Sequence, residues 1–260
     1  MSTGGLAVRD LEVRFGGLVA VAGACFDAPV GRVTGLIGPN GAGKTTTFDA
    51  CCGLVTASRG TIRLFGHDVA GLSPSRRARL GMGRTFQRME LYDELTVADN
   101  VRLGHEAAIS GRRVLGQLYG TPAEHRETAR AAEEAMRLCD IEDVASRTAG
   151  ILSTGRRRLV ELARVLAGAY RLLLLDEPSS GLDSHETARF GDILRRVVDE
   201  RGIGILLVEH DMTLVGGVCE YVYVLDFGRP VFEGTMAEVL RSEVVAAAYL
   251  GAAGGVLSGV

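Results

Sequence analysis

The string GPNGAGKTT, from Gly38 to Thr46, carries the residue types that hold a triphosphate. It satisfies G-x-x-x-x-G-K-[ST]. Gly38, Gly41 and Gly43 allow backbone conformations and a close approach that a side chain would block. With Pro39, Asn40 and Ala42 they form a loop whose amides, together with the N-terminus of the next helix, cradle phosphate oxygens. Lys44 then contacts the β and γ oxygens, Thr45 offers a hydroxyl to Mg2+, and Thr46 is a further phosphate ligand. Lys44 is the only lysine in the chain; the other 28 basic residues are arginines. A planar guanidinium fork is too large for a tight ring of backbone N–H groups, whereas a compact ammonium sits there as a point charge. The bland alternative is a glycine-rich turn with a chance lysine, which the flanking strand and helix patterns argue against.

A second group of candidates ends an apolar run, LLLLDEP, Leu172 to Pro178. Four leucines drive a strand through a core and deliver two carboxylates to its C-terminal edge, where α/β sheets bind ligands. Asp176 there holds Mg2+, and Glu177 orients and deprotonates an attacking water. Read alone, the same residues describe a strand ending in a solvated acidic turn. His210 ends another apolar run, ILLVEHDM, from which it reaches a γ-phosphate or the water; a lone histidine is more often structural. Gln87, in RTFQ, and Phe15, in VRFGG, carry weight only through order and context. Phe15 has an aromatic face for a base, but an isolated aromatic is more often core.

The elements that position these residues are legible from periodicity. Leu6 to Arg14 alternates apolar and polar residues, Val19 to Asp27 does so less cleanly, and Gly16-Gly17 supplies a turn between them. Val33 to Ile37 is a short apolar strand feeding the phosphate loop. A helix follows from about Lys44 to Cys52, then a strand from Thr61 to Leu64. Ser73-Pro74 opens a basic helix, and Thr96 with Asp99 opens another. Thr121-Pro122-Ala123-Glu124 supplies an N-cap, a proline at the first helical position and a glutamate at the third. Residues 91–150 therefore read as a helical lobe inserted between strands, and Gly104 to Gly120 receives no assignment. Beyond Gly150, the apolar strands Leu172 to Leu175 and Ile203 to Val208 flank a helix capped by Asp183 and Glu186 and ending near Glu200. Continuous apolar strands alternating with helices imply a parallel sheet buried on both faces. Tyr221 to Leu225 and Pro230 to Phe232 form a later strand pair. The expected fold class is α/β, with residues 1–90 and 151–235 as one lobe, 91–150 as the helical lobe, and 236–260 as a C-terminal helix and tail.

Bulk composition excludes more than it assigns. The 260 residues suit one large domain or two lobes, and 47% hydrophobic with 23% charged residues is ordinary for a globular protein. A net charge of −3 gives no argument for nucleic-acid binding. The five cysteines are odd in number and form no C-x-x-C pair, and MSTGGLAVRD carries no secretory pattern, so reduced thiols in the cytoplasm are expected. Cys51 and Cys52 are read as helix packing rather than as a redox or metal pair. No apolar run reaches the length of a membrane span, so membrane association is expected to come through a partner.

Phe15, GPNGAGKTT, Gln87, LSTGR, LLLLDEP, SSGLD and His210 follow one another as in the ATP-binding cassette ATPases of transporters, and the resemblance covers essentially the whole chain. FGGLVAV, GMGRTFQ, LLVEHDM and AAYLG further resemble the LivG-type ATPases of branched-chain amino acid importers. The resemblance implies a P-loop ATPase core with an N-terminal antiparallel β subdomain and an inserted α-helical subdomain. It makes Phe15 the adenine-stacking residue, Gln87 the sensor of Mg2+ and the attacking water, and His210 the switch histidine. Ser153 and Gly155 become contacts to the γ-phosphate of ATP held by the opposite subunit, and Asp183 a residue at that subunit interface. The signature loop, 152–156, departs from LSGGQ at Thr154 and Arg156.

The resemblance also implies partners. These are a second cassette (a further copy or a LivF-like chain), transmembrane permease subunits and, indirectly, a substrate-binding protein. ATP and Mg2+ are the implied cofactors. Met89, Leu91, Tyr92 and Leu95 are candidates to receive a permease helix, ordinary packing within the lobe being the alternative. Other readings are ATPases of urea, amide or lipopolysaccharide-export systems, or a weakly catalytic subunit paired with an active cassette. A GTPase would need an Asn-Lys-x-Asp string, hence a second lysine.

Overall fold

The computed structural model describes residues 4–85, 91–110 and 121–252. Gln87 and Met89 lie outside them. In chain order the elements begin with β1 (Gly5–Phe15), β2 (Leu18–Pro29), β3 (Val33–Ile37), α1 (Lys44–Cys52), β4 (Arg59–Leu64) and β5 (His67–Asp68). Next come α2 (Pro74–Arg79), β6 (Met82–Arg84), α3 (Val97–Ser110), α4 (Pro122–Leu138), two short 3-10 turns, and α5 (Thr154–Leu166). The last part holds β7 (Leu172–Asp176), α6 (Ser184–Arg201), β8 (Gly204–Val208), α7 (Met212–Val218), β9 (Tyr221–Asp226), β10 (Arg229–Gly234), α8 (Met236–Val239) and α9 (Glu243–Ala252).

Two sheets result. One is antiparallel, in the order β2-β1-β4-β5; the other runs β10-β9-β3-β8-β7-β6 and is parallel except for the β9–β10 hairpin. Chemistry follows from the second order: β3, β8 and β7 are neighbours, so the residues ending them meet at one edge. Each of these three strands is buried throughout. The period of two then splits them between two cores. Leu173, Leu175, Ile205 and Leu207 face the cluster built with α4, α5 and α6. Leu172, Leu174, Leu206 and Val208 face Phe48 of α1 and the inward residues of the antiparallel sheet, among them Val8, Leu11 and Phe26.

Local caps explain the helix starts. Thr121 and Glu124 form a reciprocal capping box at α4, as do Asp183 and Glu186 at α6. Thr96 accepts from the Asp99 amide ahead of α3, whose helix extends through the unassigned Gly104 to Ser110. The basic helix α2 is not merely a solvated surface element. Arg77 is buried and donates to the carbonyls of Ala50 and Cys51, both at 2.7 Å, and to those of Val69 and Leu72. It thereby satisfies end carbonyls of α1, the helix that carries the phosphate loop. The sequence periodicity predicts neither the strand β6 nor the helix α7. Among the described residues no helix is long and apolar enough to cross a membrane.

Candidate functional site

The loop between β3 and α1 is shaped by its glycines. Gly38 has φ 152° and Gly43 has φ 89°, conformations that L side chains rarely adopt. A Cβ at Gly38 would overlap the Leu225 carbonyl, and one at Gly43 would lie 2.6 Å from the Ala20 carbonyl oxygen. Asn40, Gly41 and Thr45 are exposed, Thr46 is half-buried and Ala42 is buried. Lys44 is buried, and its ammonium donates to the carbonyls of Gly38 at 2.7 Å and Pro39 at 3.0 Å. Burial lowers its pKa, and the carboxylates of Glu177, Asp176 and Glu209 pull in the opposite direction. The lysine is therefore bent over its own loop with three carboxylates in its field.

Those carboxylates stand at the C-terminal ends of β7 and β8, which run in register with Asp176 opposite Val208. Asp176 is buried, and its Oδ1 has no hydrogen-bond partner. Its pKa is raised to about 6, chiefly by burial and then by the neighbouring charges of Glu177 and Asp49, against Arg84 and Lys44. Glu177 leaves the strand with a left-handed φ of 46°, while its amide still donates to the Val208 carbonyl at 2.9 Å. Such a backbone is sparsely populated for a non-glycine residue and concentrates at functional sites. The turn aims the Glu177 side chain away from the core, and His210 Nδ1 lies 3.6 Å from Glu177 Oε1. Lys44, Asp176, Glu177 and His210 are thus brought together at one sheet edge.

The remaining sequence candidates fall elsewhere on the surface. Phe15 ends β1 opposite Leu18, and both are exposed. Ser153 N-caps α5 by accepting from the Arg156 amide. Gly155 is buried against Glu186 of the α6 capping box, so the signature loop touches the start of the helix that Asp183 caps. The three successive arginines at the start of α5 each have an acidic partner. Arg156 pairs with Asp143 at 2.7 Å, Arg157 with Asp93 at 2.7 Å, and the buried Arg158 with Glu161 at 2.9 Å. Cations at a helix N-terminus oppose the helix dipole, and these pairs offset that. Arg158 also reaches the Ser180 carbonyl, tying α5 to the turn after Glu177.

One residue was missed. Glu209 is fully buried and takes four hydrogen bonds, from the Ser179 amide and hydroxyl and from the amides of His210 and Asp211. It stands beside His210 in LLVEHDM, but nothing in the string distinguishes a buried clamp from a solvated acid.

A glycine loop leading into a helix, with a buried lysine facing the carboxylate pair at the end of a strand of the same parallel sheet, defines a P-loop nucleotide-hydrolysing cassette. Comparison with known proteins agrees. The family model described as ABC transporter matches residues 21–180. The high-affinity branched-chain amino acid transport ATP-binding protein BraF of Pseudomonas aeruginosa is 36% identical over 95% of this chain and 98% of its own. The LivG protein of Salmonella typhimurium, with the same description, is 37% identical over the same shares. Among solved structures, the ADP conformation of MJ1267, an ATP-binding cassette of an ABC transporter, superposes with a TM-score of 0.84 at 26% identity, covering 95% of this chain and 98% of that one. The chain belongs to the ABC transporter family and is an ABC-type ATPase.

Proposed function

We propose that this chain is the ATP-hydrolysing subunit of an importer for branched-chain or related amino acids. The observation that carries the catalytic reading is the meeting of Lys44, Asp176, Glu177 and His210 at one sheet edge. Similarity to LivG and BraF along nearly the whole chain carries the transport reading. Lys44 neutralises phosphate charge, Glu177 takes the proton of the attacking water, and His210 orients the water or the γ-phosphate. Phe15 stacks on the adenine. Ser153, Gly155 and Asp183 face the nucleotide held by a second cassette, either another copy or a LivF-like chain. Gln87 keeps its expected role toward Mg2+ and water; it lies outside the described residues.

The orphaned, buried Oδ1 of Asp176 fits a divalent cation, since a buried carboxylate oxygen without a partner is costly. Thr45 and Asp176 would hold Mg2+, which when bound neutralises charge developing on the β and γ oxygens.

The chain is placed at the inner face of the cell membrane by permease subunits, which a binding protein supplies with substrate. A cavity of about 310 Å3 between the lobes is lined by Pro74, Ala78, Met82, Gly104, Val165 and Tyr170. Tyr92 and Leu95 are exposed, and the Arg164 guanidinium, another cavity residue, lies 5.5 Å from the Tyr92 ring. These features suit an incoming permease helix, whereas Leu91 packs onto the core. Tyr92→Glu is expected to weaken permease pull-down; unchanged pull-down contradicts this surface.

The transport reading is tested in proteoliposomes containing the permease, both cassettes and the binding protein. ATP-dependent accumulation of labelled leucine, isoleucine or valine is expected. Accumulation of urea or an amide instead, with no branched-chain uptake, overturns the substrate assignment and leaves the ATPase assignment standing.

A further inference from the structure

Glu209 is a buried acid that the mechanism above does not use. Its side chain is wholly inaccessible, a position that carboxylates occupy only when well partnered. Oε1 accepts from the Ser179 amide at 2.9 Å and the Ser179 hydroxyl at 2.6 Å. Oε2 accepts from the His210 amide at 2.9 Å and the Asp211 amide at 3.2 Å. Each oxygen thus serves one loop. Ser179 lies in the turn that follows Glu177, and Asp211 is the N-cap of α7, accepting from the amides of Thr213 and Leu214.

The register explains the division. Asp176 pairs with Val208, so Glu177 and Glu209 are the next pair along β7 and β8, just past the sheet edge. The left-handed turn at Glu177 sends that carboxylate toward the site, while Glu209 turns inward under the Ser179 loop. The His210 ring is left between the two acids, with Nδ1 at 3.6 Å from Glu177 Oε1 and 3.7 Å from Glu209 Oε2. Neither distance is a hydrogen bond. His210 is also about half exposed, so among the described residues its ring has no firm anchor. What fixes its position is its backbone, and that backbone is held by Glu209.

We propose that Glu209 is a positioning residue that locks the Glu177 turn to the His210 turn, setting the distance between the general base and the histidine. This rests on the ATPase reading of Glu177 and His210. The chemistry of the clamp makes it testable by one atom. A carboxamide accepts through one end only and presents N–H donors at the other. Glu209→Gln therefore keeps one loop and meets N–H with N–H at the second.

The experiment measures kcat and ATP binding for Glu209→Gln in the wild-type and His210→Ala backgrounds, using a fluorescent ATP analogue for binding. Misplacing a catalytic group by about 1 Å costs on the order of 10²-fold, so a fall in kcat of about 10-fold or more is expected, with analogue affinity within about twofold. In the His210→Ala background the same change is expected to add less than about twofold, since residues acting as a unit are not additive. Ser179→Ala, which removes one of the four donors and creates no clash, is expected to lower kcat by a smaller factor. Three results would overturn the proposal. One is unchanged kcat. Another is an equal loss in both backgrounds. The third is a parallel loss of analogue binding in Glu209→Gln and Ser179→Ala, which marks a merely structural role. Absence of hydrolysis in the wild-type protein would instead count against the ATPase reading.

Discussion

Gly155 of the signature loop and Glu186 of the α6 capping box are in contact, so closely that a methyl group on Gly155 would overlap the Glu186 carboxylate. Glu186 donates its amide to Asp183 and accepts from the Asp183 amide through Oε2. The signature loop and the Asp183 turn are therefore one surface within this chain. That surface is the one proposed to meet a second cassette.

Gly155→Ala is expected to displace the Glu186 side chain and loosen the Asp183 turn. Loss of a cap costs about 0.5–2 kcal/mol, so folding is retained. The larger effect falls on association: in a Glu177→Gln background, the ATP-dependent complex with a second cassette is expected to weaken by about tenfold or more, equivalent to at least ~1.4 kcal/mol. Analytical ultracentrifugation with ATP and Mg2+ checks this, with thermal melting as the control.

Lys44→Arg is expected to fail as completely as Lys44→Ala. The ammonium is buried and donates to two carbonyls of its own loop, and a larger, planar guanidinium cannot take the place of that compact point charge. ATP binding measured for both variants should fall to the same level. Substantial binding by the arginine variant would show that charge alone suffices.

The thiols offer an inexpensive check on the core. Burial pushes the Cys51, Cys52, Cys139 and Cys219 thiols upward, Cys52 and Cys219 to about 12. Cys25 alone is partly exposed. A thiol reagent at pH 8 is expected to titrate one cysteine rapidly in the native protein and all five in denaturant. Fast reaction of Cys51 or Cys52 would contradict the packing of α1.

Asp176 makes stability depend on pH in the absence of divalent cations. Its pKa rises from 3.8 to about 6 on folding, chiefly through burial. Between roughly pH 4 and 6 the folded protein holds a proton that the unfolded chain has released, so this group's contribution to stability declines as pH rises through that window. In EDTA at pH 8, Asp176→Asn is expected to raise Tm, by about 2–4 °C for each kcal/mol recovered, while abolishing hydrolysis. The gain should shrink below pH 6. Melting curves of both proteins at pH 5 and pH 8 test this.

The sequence carried the local features well. The phosphate loop, the strand before it and the helix after it are contiguous, and the capping boxes at α4 and α6 depend on residues three apart. What escaped depends on contacts distant in sequence. Arg77 reads as one more charge on a basic helix, because its carbonyl partners Ala50 and Cys51 lie 27 and 26 residues away. Glu209 reads as an acid beside a histidine, because Ser179 is 30 residues away. The strand β6 spans three residues, too few for a period of two to register, and is held by its pairing with β7. The acids that pair with Arg156 and Arg157 at the start of α5, Asp143 and Asp93, also lie outside that helix.

We propose Glu177, turned out of β7 beside His210, as the general base of the ATPase. The most direct test is the rate of phosphate release from ATP by wild-type and Glu177→Gln protein, with ATP affinity measured on the same preparations. Unchanged affinity and a rate lowered by about 10²-fold or more are expected. A Glu177→Gln variant that binds ATP and hydrolyses it at the wild-type rate would contradict that role.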